Sequence, residues 1–134
     1  MAQPIASLNN EEKMLHEGMD SIVIRQFIAG IKNGKVLDVT GFAPDAIKAG
    51  HVVIYDTVND VYKPMPLNDG GTAYGSLPAN HEYAGVLVGT ILKKHPVAGI
   101  MYAGEVNDVA SPYSVDSIKS AMKTALPQLV FKHD

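Results

Sequence analysis

From residue 21 onward, short apolar runs alternate with turn-forming clusters, the pattern of β-strands joined by tight connections. Residues 22–31 carry Ile22, Val23, Ile24, Phe27, Ile28 and Ile31, a β-rich run that meets Asn33-Gly34. Both positions of that dipeptide tolerate positive φ, which a two-residue hairpin loop demands, so 35–39 reads as the return strand. Gly41 and Pro44 break the chain, and 44–50 reads as a tight turn or a single helical turn stopped by Gly50. Residues 51–56 (HVVIYD) predict a strand, 57–60 a turn and 61–65 (VYKPM) the run back. Pro64 and Pro66 have no N–H to give a ladder, which places that strand at an edge or ends it early.

Residues 67–80, with Asp69-Gly70-Gly71, Gly75 and Pro78, predict a long loop. Residues 83–92 (YAGVLVGTIL) read as a buried strand in which Gly85 and Gly89 mark bulges or close backbone approach. Residues 96–103 (PVAGIMYA) are its expected neighbour across Lys93-Lys94-His95, and 107–111 closes the β part. One helix is expected over 114–126. Val115, Ile118, Met122, Ala125 and Leu126 recur there at steps of three and four, Ser111 or Ser114 can cap it, and Pro127 ends it. A short strand over 128–132 follows. No parallel βαβ unit is evident. The fold class expected is mainly β (α+β): a small antiparallel β-barrel or sandwich with one C-terminal helix.

Residues 1–20 differ in texture. They are polar and acidic with isolated apolar positions, and Glu11 to His16 offers at most one helical turn. They read as an extended N-terminal arm ahead of a single domain over 21–134, either a floppy terminus or a segment that orders on a partner. The start has neither the basic residues nor the apolar core of a secretory signal, and 83–92 is too short and Gly-rich to span a bilayer. A cytosol-like setting and no membrane are therefore expected.

Composition removes several chemistries. There is no Cys, so disulfides, thiol catalysis and thiolate metal sites are excluded. Eleven basic and fourteen acidic residues give a net charge of -3, and Arg25 is the one arginine, so no basic footprint for nucleic acid exists. The charged share of 19% against 46% hydrophobic points to an apolar surface that meets another surface.

No catalytic constellation emerges. His16, His51, His81, His95 and His133 lack a metal-ligand spacing, so no metal is expected. Asp56, Asn59 and Asp60 invite a calcium reading, but turn chemistry accounts for them without the ligand density of an EF-hand. His81 and Glu82 are adjacent on a strand and point to opposite faces, which does not suit acid–base work. The glycines at 70, 71 and 75 have no Lys-Ser/Thr ending, so a phosphate loop is excluded, and no G-x-S-x-G elbow is present. No enzyme and no cofactor are expected. A small β-clip enzyme or ligand domain, suggested by PDAIKAGHVVIYD (44–56), would need a deep polar pocket lined by His51, His81 and acids.

The segment AGIMYAGEVN (98–107) leads through a polar loop to the amphipathic helix and a final LVF strand (129–131). Upstream, IKAGHVV (47–53), the stretch from Tyr55 to Pro64 and YAGVL (83–87) occur in that order. This arrangement resembles the lambda-like head decoration proteins of tailed bacteriophages, whose last strand reads roughly G-x-E-V-N before a helix and a short hydrophobic tail. The resemblance covers about 22–131 through short motifs, with Gly104, Glu105, Val106 and Asn107 as the family-motif strand. The long loop 67–80 and the polar arm depart from it.

The resemblance implies a structural virion protein: a homotrimer on the exterior of the expanded capsid, made in the host cytoplasm, that stabilises contacts between coat subunits. The partner implied is the major capsid (coat) protein. The capsid-binding arm would use Pro4, Ile5, Leu8, Met14, Leu15, Ile22 and Ile24, through β-augmentation. The competing expectation is an adhesive head-fibre module that binds host glycans through Tyr74 and Tyr113.

Overall fold

Val52, Val53 and Ile54 are consecutive and all buried, which a strand allows only when both of its faces are covered. The computed structural model, which describes residues 19–134, shows how that covering is made. The elements run α1 (Asp20–Val23), β1 (Ile24–Gly30), β2 (Lys35–Val36), β3 (Ala46–Ile47), β4 (Val52–Asp56), β5 (Val61–Pro64), β6 (His81–Leu87), β7 (Ile91–Leu92), β8 (Val97–Ala98), β9 (Ile100–Val106), α2 (Lys119–Ala125) and β10 (Leu129–Phe131). The main sheet has the order β1-β9-β6-β4-β5, with β10 also on β9, and two small ribbons pair β2 with β8 and β3 with β7. The protein is mainly β, with antiparallel sheets and one C-terminal helix.

Alternation along β4, β6 and β9 divides the interior in two. Val52, Ile54, Val86 and Met101 face a core shared with Met65, Val106, Val115, Ile118, Met122 and Leu129. Val53, Leu87 and Ile100 face the other side, with Leu37, Phe42, Ile47 and Ala98. The helical segment covers the first core and the 37–47 excursion covers the second.

Strand β9 carries the most neighbours. β1 runs antiparallel along one edge, from Ile24 opposite Val106 to Gly30 opposite Met101. The other edge is split: β6 takes Ile100 and Met101, and β10 takes Gly104, Glu105 and Val106. At Gly104 (φ 147°) a Cβ would stand 2.2 Å from the Gln26 carbonyl oxygen, so only glycine lets β1 close on β9. Gly85 (φ 154°) has the same role in β6, where a Cβ would lie 2.3 Å from the Met101 carbonyl oxygen, and the register of β6 on β4 slips there. Its reading as a bulge residue holds. Gly89 instead lies in the turn before β7 with nothing near it.

Three expectations are corrected. Asn33 and Gly34 do take positive φ (68° and 66°), but they do not reverse the chain into a hairpin. β2 continues in the direction of β1 along the same neighbouring segment, with Lys35 opposite Ala98 and Val36 opposite Val97. The dipeptide absorbs extra residues in one long antiparallel ladder, which continues from Met101 back to Val97. Second, 44–50 is not helical: Ala46 and Ile47 form β3 against Leu92 and Ile91. Third, β10 lies parallel to β9, so β9, α2 and β10 make one βαβ crossover.

The helix is also shorter than its periodicity suggests. Val115 and Ile118 are buried as expected, but they sit in a turn, closed by Ile118 N–H donating to Val115 C=O, before α2 begins at Lys119. The Pro64–Pro66 reading holds, since β5 ends the main sheet.

The Gly104→Ala variant is expected to lose about 2 kcal/mol or more of unfolding free energy in chemical denaturation, since side-chain clash adds to an unfavourable φ. Gly89→Ala, in open space, should stay within about 0.5 kcal/mol of the parent.

Candidate functional site

The exposed edge of β1 is the first candidate. Asp20 fixes its approach: its carboxylate accepts from the backbone N–H of Thr90 (3.0 Å) and from the Thr90 hydroxyl (2.7 Å). Val23 then packs against Gly50, and its carbonyl accepts from Asn107 N–H. The folded unit thus includes Asp20. Beyond it, β1 pairs through one edge alone among the described residues, and Phe27 (54% exposed) and Ile28 (62% exposed) stand on successive positions of it. Met19 and Ile22 add exposed apolar surface before it, and Val130 on β10 is half-exposed. Arg25 is turned aside, with Nε 3.4 Å from Glu105 Oε1 and Nη2 3.2 Å from Asp134 Oδ1.

The expected arm residues separate accordingly. Pro4, Ile5, Leu8, Met14 and Leu15 lie outside the described residues, as does the helical turn expected over 11–16. Ile22 is exposed, but on the short helix α1 and not on a strand. Ile24 opens β1 and packs against the protein's own core. In the family-motif strand, Gly104 is the close-approach position, Val106 is fully buried, and Glu105 holds Arg25. Asn107 Oδ1 accepts from the N–H groups of Val109 and Ala110, turning the chain out of β9. These four residues shape the fold and present no reactive group.

A second feature is a groove of about 570 Å³ between the 38–44 and 66–71 loops, lined by Phe42, Pro64, Leu67, Asp38, Lys63 and His81. At one end Lys63 Nζ lies 3.4 Å from Asp56 Oδ2 and 3.2 Å from His81 Nε2. The His81 Nδ1 atom is 2.8 Å from the Ala79 carbonyl and donates to it, which leaves Nε2 to accept from Lys63. Asp56 is already saturated: Oδ1 accepts from Val58 N–H (2.9 Å) and Asn59 N–H (3.1 Å), and Oδ2 from Asn59 Nδ2 (2.9 Å). Those bonds hold its carboxyl well below the usual carboxylate range, with Asn59 the main cause. The turn reading of Asp56 and Asn59 is therefore the physical one. Among the described residues, no three His, Asp or Glu side chains converge as a metal would need, and no helix is long and apolar enough to cross a membrane.

The two histidines of the pocket hypothesis do not meet. His51 does not line the groove. It is 1% exposed, and its ring makes edge contacts with Phe42, Tyr74 and Tyr113 at centroid distances of 5.3, 5.2 and 5.6 Å. Nε2 donates to the Met65 carbonyl at 3.0 Å. Burial pushes its pKa down to about 4, so it sits neutral among the aromatic rings. Tyr74 is buried as well, and its hydroxyl accepts from Val52 N–H at 3.0 Å. Tyr74 thus packs inside the core, and Tyr113 packs against it while remaining partly exposed. No sequence signal distinguished them from exposed loop tyrosines.

Compared with protein-family models, with curated proteins and with solved structures, the chain matches none.

The buried His51 carries a pH signature. The unfolded chain takes up a proton near pH 6.5, while the folded site resists until about pH 4. Unfolding free energy is therefore expected to fall by about 3 kcal/mol as pH drops from 6.5 to 4, with the full loss present below that window. Asp108, held down to about 2 chiefly by Lys119, contributes its loss at lower pH, between the ordinary carboxylate range and about 2. Denaturation curves across pH should show both phases, and His51→Gln should remove the upper one.

Proposed function

We propose that this protein is a capsid decoration protein: it docks on the exterior of an expanded bacteriophage shell, as a trimer, and stabilises contacts between coat subunits. The observation that carries the reading is the edge of β1. A strand with one edge unpaired among the described residues, and with Phe27 and Ile28 side by side on it, suits addition to another β-structure. It directly continues the N-terminal segment to which the resemblance assigns the arm role. The order of motifs from 47 to 131 supports the same reading, and the function needs neither a cofactor nor a catalytic group. Repeated weak contacts, linked by symmetry, supply the affinity that one contact would lack. The coat protein is the partner, and the virion exterior is the location.

Co-sedimentation with expanded, undecorated shells, assembled from the coat protein encoded beside this one, tests the proposal. The full chain should bind saturably, and a chain lacking residues 1–18 should bind more weakly. A Phe27→Lys, Ile28→Lys variant should also lose binding while remaining folded. Failure of the full chain to sediment with such shells overturns the proposal.

A further inference from the structure

We infer that the open end of the second-core face of β4, β5 and β6 is a binding site for the guanidinium group of an arginine side chain presented by a protein partner. The inference does not depend on the shell reading. Register sets the site up. Tyr55 stands directly opposite Tyr62 on β5 and directly opposite Glu82 on β6, so the three side chains form one row across three strands. The rings of Tyr55 and Tyr62 lie 4.9 Å apart between centroids, tilted by 46°. Tyr102, 39% exposed on β9, joins them around an open basin of about 340 Å³ whose wall also includes Tyr83 and Leu126.

The charge in this basin is of one sign. Glu82 is exposed and makes no hydrogen bond or ion pair with any described residue. The Tyr55 hydroxyl donates to Asp60, which pushes its pKa up to about 12, and the charge of Glu82 adds to that shift. Lys35 Nζ stands 5.9 Å from the Tyr62 ring centroid, and Lys35 does not form part of the basin wall. That contact already uses a ring face of the row for a cation. Lys63, the neighbour of Tyr62 in sequence, points to the opposite face and lines the other groove.

An open basin of aromatic faces beside a carboxylate that has no ion pair among the described residues selects for shape as well as charge. A guanidinium is flat, weakly hydrated and forked, so it stacks on a ring and meets a carboxylate with two N–H groups together. An ammonium is a compact, strongly hydrated point charge and gains less from an open site. A trimethylammonium group is best held in a closed aromatic cage, which this basin is not.

The probes are n-butylguanidinium and n-butylammonium, titrated into the full-length protein at constant ionic strength, with the tyrosine ring resonances followed by NMR. Saturable shifts confined to Tyr55, Tyr62, Tyr83 and Tyr102 are expected with the guanidinium, and clearly weaker binding with the ammonium. Glu82→Gln should weaken guanidinium binding about tenfold, the loss expected for removing one hydrogen bond to a charged group. Its ring resonances without ligand should keep their dispersion, which confirms an intact fold. Tyr102→Ser should weaken binding too. Equal binding of the two cations, shifts scattered over the surface, or an unchanged response in Glu82→Gln would each overturn the inference.

Discussion

The approach of β1 to β9 at Gly104 governs the rest of the architecture. The Gln26 carbonyl oxygen fills the space in which a side chain would begin, so the two backbones close as few residue pairs can. With β1 seated, the chain from 24 to 36 lies along 97–106 as one antiparallel ladder, with register shifts within β1 and again across 31–34. The opposite edge of β9 is then free for β6 at one end and β10 at the other. That division forces the helical segment to cross one face, where Val115, Ile118 and Met122 fill the first core. The second core is left to the excursion between β2 and β4, which brings Leu37, Phe42 and Ile47 against Val53 and Ile100. A domain of this size without a disulfide depends on covering both faces of its sheet, because one covered face would leave the central strands half wet.

Strand positions were legible in the sequence, as were the pairings of β4 with β5 and of β6 with β9, and the other pairings were not. The apolar runs at 51–56, 61–65 and 96–103 announce the strands found at 52–56, 61–64 and 100–106, because alternation and continuous burial are local properties. Pairing depends on which edge is vacant, a property of the whole fold. Asn33-Gly34 shows the difference: the positive φ values were correctly foreseen, yet the same backbone geometry serves a reversal or a bulge. The parallel placement of β10 was illegible for a related reason, since a short strand after a helix can return to either side of the sheet. The start of α2 was misplaced because Val115 and Ile118 are buried with helical spacing inside a non-helical turn.

The site residues divide along the same line. Glycine-rich surroundings and a hydroxyl make Tyr74 resemble a surface contact, but the loop folds back far enough for that hydroxyl to serve the Val52 N–H inside the core. His51 gave no signal of its aromatic enclosure, because Phe42, Tyr74 and Tyr113 come from three separate loops. The row Tyr62, Tyr55, Glu82 was equally hidden. It exists only once β5, β4 and β6 are in register, and a one-residue slip of either outer strand would dissolve it.

Among the described residues, the β1 edge and the tyrosine row differ in what they ask of a partner. The β1 edge carries Phe27 and Ile28 exposed at successive positions and is irregular there, with register shifts of the kind that natural sheets use, beside charge, proline or a covering segment, to manage an edge. Arg25 is drawn aside to Glu105 and Asp134, and among the described residues no segment pairs with the outer edge of the strand. Backbone pairing of this kind demands geometry from its partner and little sequence. The tyrosine row demands the reverse: one flat cation at one place, with little backbone contribution. A protein that meets a repeated, symmetric surface benefits from both, since strand addition supplies adhesion and a single stacked charge pair fixes the register in which the addition occurs. Under the proposed docking, the edge would set how strongly the protein attaches and the row would set where.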